Sequence, residues 1–137
     1  MDGCVFCLIA EGAIPSYTVY EDELFKVILD RYPWSAGHTL IIAKRHAETV
    51  YDLNGAEAAA LHILIASAAN AINKSLKPDG LNILQNNGVA AGQSVGHFHV
   101  HLIPRYTGDN INMTFPANDP PAEEFESLLS EIKKAYA

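Results

Sequence analysis

His97-Phe98-His99-Val100-His101-Leu102 sets three of the chain's six histidines in strict alternation with apolar residues. Alternation with period two marks a half-buried strand, so His97, His99 and His101 are expected on one face. Phe98, Val100 and Leu102 then turn to the core. Successive histidines would lie roughly 6.6 Å apart, twice the ~3.3 Å rise per residue. Three imidazoles on one face make a poor core and suit a polyanion site, a metal site, or both. A lone strand histidine is more often a surface or satisfied group. Three in alternation, after the turn-rich Asn86-Asn87-Gly88-Val89-Ala90-Ala91-Gly92-Gln93-Ser94, point to a site.

Working outward, Cys4 to Ala10 reads as a short helix closed by Glu11-Gly12 and the extended Ile14-Pro15. Strands are expected at Tyr17 to Tyr20 and Leu24 to Leu29, joined by Glu21-Asp22-Glu23, and at His38 to Ala43, Leu81 to Gln85 and Phe98 to Arg105. A loop, Asp30 to Gly37, precedes the third. Asn54-Gly55 opens a long helix that runs to about Leu76 and stops at Pro78-Asp79-Gly80, and Ala122 to Ala135 closes the chain as an amphipathic helix. The stripe Ala58, Leu61, Leu64/Ile65, Ala68 and Ile72 has helical spacing, yet Ala59, Ile63, Ala66 and Ala69 make the other faces of the long helix apolar too. Such a helix needs cover on more than one side, which in a small chain hints at a partner subunit. Strands in runs between helices indicate an α+β fold with an antiparallel sheet.

The 137 residues are expected to form one domain, 1–137, with no internal repeat or linker; Asn118-Asp119-Pro120-Pro121 is the clearest break and starts the terminal helix. A 49% hydrophobic and 18% charged composition is that of a globular chain. Met1-Asp2-Gly3-Cys4 lacks the basic, apolar opening of a signal peptide, and Ala56 to Ala71 is interrupted by Glu57, His62, Ser67 and Asn70. A cytoplasmic location without membrane contact is expected. The formal charge of −7 argues against a nucleic-acid partner. It leaves room for a small phosphate ligand held by neutral donors, protonated histidines and backbone amides.

Gly92-Gln93-Ser94-Val95-Gly96-His97-Phe98-His99-Val100-His101-Leu102-Ile103-Pro104-Arg105 resembles the signature of the histidine triad (HIT) nucleotide hydrolases and transferases. Cys4-Val5-Phe6-Cys7 with Ile14-Pro15, Tyr20-Glu21-Asp22, Leu29-Asp30, Gly37-His38-Thr39-Leu40 and Lys44-Arg45-His46 follow in the family's order and approximate spacing. The resemblance implies a HIT-like fold: an antiparallel sheet of about five strands, one long central helix and a C-terminal helix. It also implies a homodimer and a two-step nucleotidyl transfer. His99 would attack the α-phosphorus, and water would release the nucleoside monophosphate from a nucleotidyl-histidine intermediate. An imidazole nucleophile must be neutral at one nitrogen and held at the other.

By the same resemblance His101 and His38 contact phosphate, Ser94 bonds the phosphate or the leaving group, and Gly92 and Gln93 belong to the donor-rich prelude. Asp30 would take the ribose hydroxyls, and Asn86 a phosphate-side contact. Val5, Phe6, Ile9 and Ile28 would form the base pocket, although each alone also reads as core. Arg31, where relatives carry an apolar residue, and Ala43, where proline is common, depart from the pattern. Tyr106 to Pro121 matches nothing in it. His62 stands outside every motif and reads as a helix or interface residue.

Cys4-x-x-Cys7 is the second chemical signal. Two close cysteines in an intracellular chain favour a metal or redox role over a disulfide, and no βαβ pattern supports the redox role. Tetrahedral zinc needs two further ligands. The bacterial zinc-containing HIT proteins, which share this opening, imply the set Cys4, Cys7, His46 and His97, against the bland reading of two reduced, partly buried thiols. Within the family the resemblance implies, the Ser94-containing prelude and the short chain lean to a purine nucleoside phosphoramidase. A dinucleoside polyphosphate hydrolase of the diadenosine tetraphosphate type is the alternative within the family, and a nucleotide-binding regulatory module is the alternative from another class.

Overall fold

A computed structural model describes residues 3–136. The sheet is antiparallel throughout, with spatial order β1-β2-β3-β5-β4. Its strands are β1 (Thr18–Glu21), β2 (Phe25–Leu29), β3 (Thr39–Ala43), β4 (Gly80–Leu84) and β5 (His99–Arg105). Three α-helices, α1 (Val5–Glu11), α2 (Gly55–Leu76) and α3 (Ala122–Ala135), complete the expected α+β architecture. Each boundary falls within one residue of the sequence expectation.

Local chemistry explains where the elements begin and end. Asn54 caps α2 by accepting the Glu57 amide at 2.9 Å, and the Glu57 carboxylate accepts the Asn54 amide in return. Glu57 is buried and tied to Arg45 by two bonds of 2.8 and 2.7 Å, so the cap also joins α2 to the segment after β3. Gly12, at φ 81°, closes α1 in the left-handed conformation that glycine adopts without strain. Asp22 accepts the Leu24 and Phe25 amides at 2.8 Å, which turns β1 into β2.

The sheet's two faces do different work. One packs Phe25, Val27, Ile41, Val100 and Leu102 against Leu61, Ile65 and Ile72 of α2. The other packs Ile28, Leu40 and Ile42 against Phe6 and Ile9 of α1. On that second face Ile42 pairs with His99 and Leu40 with His101. The helix α2 is long and apolar enough, by length and composition, to cross a membrane, and one side of it is this core. Its other side is open: Ile63 is 75% exposed. The stripe Phe125, Leu128, Leu129 and Ile132 of α3 is likewise exposed.

One histidine departs from the expected row. The strand β5 starts at His99, because the Phe98 amide is already bonded to the Ala47 carbonyl outside the ladder. His97 therefore sits before the strand, with Nε2 against the Ala43 carbonyl at 2.6 Å. Phe98, Val100 and Leu102 are buried as the alternation predicts.

Candidate active site and metal centre

The α1 helix lies across the His99 and His101 face, so its apolar side and the sheet enclose a cavity of about 730 Å³. Val5, Phe6, Ile9, Ile28 and Leu40 supply an apolar wall, while Asp30, Ser94, His99 and His101 supply the polar end. A large apolar cleft with a few converging polar groups is the usual form of a small-molecule site. Phe6 stands edge-on to His99 at 5.1 Å, which holds that ring between helix and strand.

The partners of each imidazole dictate its tautomer. A carbonyl oxygen only accepts, so His99 Nδ1, 2.7 Å from the His97 carbonyl, carries the proton. His99 Nε2 is left with its lone pair. The Trp34 amide donates to His38 Nδ1 at 3.1 Å, so the His38 proton sits on Nε2 and is donated to His101 Nδ1 at 2.9 Å. His101 keeps its own proton on Nε2. Asp30 stands 3.6 Å from His38 Nε2 and accepts the Tyr32 amide at 2.8 Å. One backbone carbonyl and one backbone amide thus leave a free lone pair on His99 Nε2 and, two residues along the strand, a free N–H on His101 Nε2.

Burial favours the neutral form of His38, His99 and His101, whereas the sequence alone allows protonated histidines to hold a phosphate. It pulls His38 and His99 below the ordinary histidine range, with Asp30 opposing in both cases and the His97 carbonyl also opposing at His99. His101 is brought down to about 4 by burial, with His99 and His38 adding repulsion.

On the far side of His99 a second cluster forms. Cys4, Cys7, His46 and His97 each offer one ligand atom, all within 4.8 Å of one another. His97 donates Nε2–H to the Ala43 carbonyl, which frees Nδ1 to face Cys4 Sγ at 3.4 Å and Cys7 Sγ at 3.5 Å. His46 Nδ1 lies 3.2 Å from Cys7 Sγ. A tetrahedral ion with bonds of about 2.3 Å to sulfur and about 2.05 Å to nitrogen sets S and N about 3.6 Å apart. The donors therefore fit a metal ion. The Ala43 carbonyl is the orienting second partner that metal-bound histidines need. Burial and Cys4 raise the Cys7 thiol above its ordinary value, and a bound cation would reverse that by favouring thiolate. Four protein ligands would leave an ion no open position, so a bound ion would staple α1 to the strand ends rather than take part in chemistry. Asp30, His38 and His101 form another donor group, but there the Trp34 amide keeps the His38 proton on the nitrogen a metal would need.

A HIT domain model matches residues 11–108. The chain belongs to the HIT family. A crystal structure of a HIT family member from Bacillus subtilis superimposes on this HIT protein with a TM-score of 0.94, at 40% identity and 99% coverage of both chains. The adenosine 5'-monophosphoramidase hnt1 of Schizosaccharomyces pombe is 35% identical over 130 residues, covering 94% of this chain and 95% of its own. A Zn-bound histidine triad family protein from Mycobacterium smegmatis is 37% identical, with a TM-score of 0.75 and 97% of both chains covered.

Of the residues singled out in the sequence, Val5, Phe6, Ile9, Ile28, Asp30, Ser94, His99 and His101 line the cavity of this HIT protein, with His38 behind His101. Asn86, Gly92 and Gln93 are not among its lining residues. The Gln93 amide accepts from Gly88 N and donates to the Glu48 and Val95 carbonyls, and Asn86 donates to the Gly92 carbonyl at 3.4 Å. They brace the loop that presents Ser94. Sequence reasoning missed Trp34, whose ring stacks on His101 from outside the cavity, and the cavity-lining Tyr17 and Tyr32. An aromatic residue four positions before His38 was the available signal for Trp34.

Proposed function

We propose that this HIT protein is a nucleoside phosphoramidase that cleaves at the α-phosphorus of a purine nucleoside monophosphate derivative. The observation that carries the reading is the His99 Nε2 lone pair, fixed by the His97 carbonyl at the polar end of an apolar cavity. In this reading the base enters the wall of Val5, Phe6, Ile9 and Ile28, and Asp30 accepts from the ribose hydroxyls. His99 Nε2 attacks phosphorus as the P–N bond breaks, and the nitrogen takes a proton from solvent water so that it leaves as the neutral amine. Water then cleaves the nucleotidyl-histidine bond, so that one water adds across the original P–N bond overall. His101 Nε2–H and the Ser94 hydroxyl donate to the phosphoryl oxygens as charge builds on them. The phosphoramidase activity named for the S. pombe relative supports the choice of substrate class.

The same reading takes zinc as the ion of the Cys4, Cys7, His46 and His97 cluster, since thiolate and imidazole ligands suit it and the Mycobacterium smegmatis neighbour is Zn-bound. It takes a homodimer as the assembly, with a second copy covering the exposed stripe of α3 and Ile63 of α2. Two free thiols fit a reducing, cytoplasmic setting.

The test is to incubate wild type and His99→Ala with adenosine 5′-phosphoramidate and with diadenosine tetraphosphate. Turnover of the first by wild type alone is expected. Turnover of neither by wild type rejects the hydrolase reading, and turnover of the second alone replaces the phosphoramidase with a polyphosphate hydrolase. Sedimentation at micromolar concentration checks the assembly; a monomer contradicts the dimer.

A further inference from the structure

The loop between β2 and β3 begins at Asp30 and ends at His38, and it is tied to the sheet by Ser35, a residue outside the cavity. Ser35 to His38 form a tight turn. The His38 amide donates to the Ser35 carbonyl at 3.1 Å, and Gly37 supplies a left-handed φ of 87°. A side chain at Gly37 would also run into Leu76, so the turn is held to this shape by packing as well. The Ser35 hydroxyl donates to the Pro104 carbonyl at 2.6 Å. Pairing of β3 with β5 ends at Thr39 opposite Leu102, and Pro104 lies beyond that pair. Ser35 therefore continues the contact between β5 and the chain entering β3. His101 and Pro104 belong to one strand, so the hydroxyl fixes the loop relative to the strand that carries the donor.

What this anchor holds is the amide just before it. Trp34 N–H donates to His38 Nδ1 at 3.1 Å. Upstream, Pro33 has no amide to donate and makes no hydrogen bond among the described residues; the next fixed point is the Tyr32 amide on Asp30. Ser35 is the hydrogen-bonded neighbour on the other side. Without the Trp34 amide, the His38 proton is free to move to Nδ1. His38 Nε2 would then accept from His101 Nδ1, and His101 Nε2 would turn a lone pair to the cavity in place of an N–H. A lone pair there repels a phosphoryl oxygen. The Asp30 carboxylate favours the proton on His38 Nε2, but at 3.6 Å it lies beyond hydrogen-bonding distance, so both tautomers would be populated.

Resting on the hydrolase reading, in which His101 Nε2–H donates to the phosphoryl group, we propose that Ser35 is a positioning residue for the reaction. Its bond to the Pro104 carbonyl keeps the Trp34 amide on His38, and so keeps the proton on His101 Nε2. Ser35 touches no substrate and acts only through the two imidazoles.

The ring nitrogens report this without turnover. Long-range proton–nitrogen NMR spectra of isotope-labelled protein at pH 7.5 separate protonated ring nitrogens from those with a lone pair. Wild type should show the proton on Nε2 in both His38 and His101. In Ser35→Ala the two nitrogen shifts of each ring should move toward one another, and the Trp34 amide should exchange with deuterium faster while amides within α2 keep their rates. Ser35→Thr, which keeps the hydroxyl, should restore both. With adenosine 5′-phosphoramidate, Ser35→Ala should lower kcat roughly tenfold, the scale of one net hydrogen bond, and leave KM within about threefold of wild type. Ring-nitrogen shifts unchanged in Ser35→Ala would assign the tautomer to Asp30 and reject the proposal. A loss confined to KM would also reject it, as would a lower melting temperature with kcat unchanged, which marks a purely structural anchor. Should Ser35→Ala not fold, Ser35→Cys, whose thiol is a weaker donor, carries the same comparison: shifts equal to those of wild type reject the proposal, and converging shifts support it. If wild type hydrolyses no nucleotide, the hydrolase reading fails, while the spectra still decide whether Ser35 sets the two tautomers.

Discussion

His99 Nδ1 donates to the carbonyl oxygen of His97, two residues earlier, at 2.7 Å. The residue whose side chain joins the thiol cluster thus orients the His99 ring through its backbone, while its own ring turns the other way toward Cys4 and Cys7. Removing the nucleophile should be far more costly than removing any neighbour. His99→Ala is expected to lower kcat for adenosine 5′-phosphoramidate by at least about a thousandfold. Its melting temperature should stay near that of wild type or rise, since a buried imidazole is removed. A residual rate within tenfold of wild type would place the nucleophile elsewhere.

His38 does its work through His101. With His38→Ala, His101 Nδ1 loses its donor and the donor on Nε2 is no longer enforced. The expected loss in kcat is about a hundredfold. His38→Gln, whose amide can offer an N–H near the former Nε2, should recover part of it. Equal activities for the two variants would contradict the relay.

Protonation weakens the fold. The folded state holds His38, His99 and His101 below the ordinary histidine pKa of about 6.5, so the unfolded chain binds protons first. Their contribution is present in full above that value and is lost as pH falls toward the His101 value of about 4. Thermal melts at pH 7.5, 6, 5 and 4.5 should show a falling midpoint across this window. A midpoint constant from 7.5 to 4.5 would show that these imidazoles do not take up protons on unfolding.

The cluster of Cys4, Cys7, His46 and His97 should hold about one ion per chain, as a closed four-ligand site does. Metal analysis of Cys4→Ser/Cys7→Ser should find it lost, together with a lower melting temperature, because α1 is no longer stapled to the strand ends. Because α1 carries Phe6 and Ile9 of the cavity wall, nucleotide binding should weaken as well. Metal retained equally by the double variant rejects the ligand set.

Much of this molecule is legible along the chain because its signals are local. Alternation from Phe98 to Leu102 specifies a half-buried strand, Asn54 and Glu57 form a cap within one helical turn, and Cys4 stands at the N-terminus of α1 with Cys7 in its first turn. The family motif reports the triad itself. Asn86 and Gln93 show the limit: their types and positions match, but their side chains are used to brace a loop.

What only the tertiary structure decided depends on contacts between distant segments. Fifty residues lie between His46 and His97, and no periodicity links them; the ladder of β3 with β5 and the lie of α1 bring them to one point. The three histidines look equivalent in the alternating run. They become unequal because each ring meets a different backbone partner: Ala43 O for His97, His97 O for His99, and, through His38, the Trp34 amide for His101. A hydrogen bond to a carbonyl or from an amide decides which ring nitrogen keeps its lone pair, and that choice leaves a lone pair on Nδ1 of His97 and on Nε2 of His99, and a proton on Nε2 of His101.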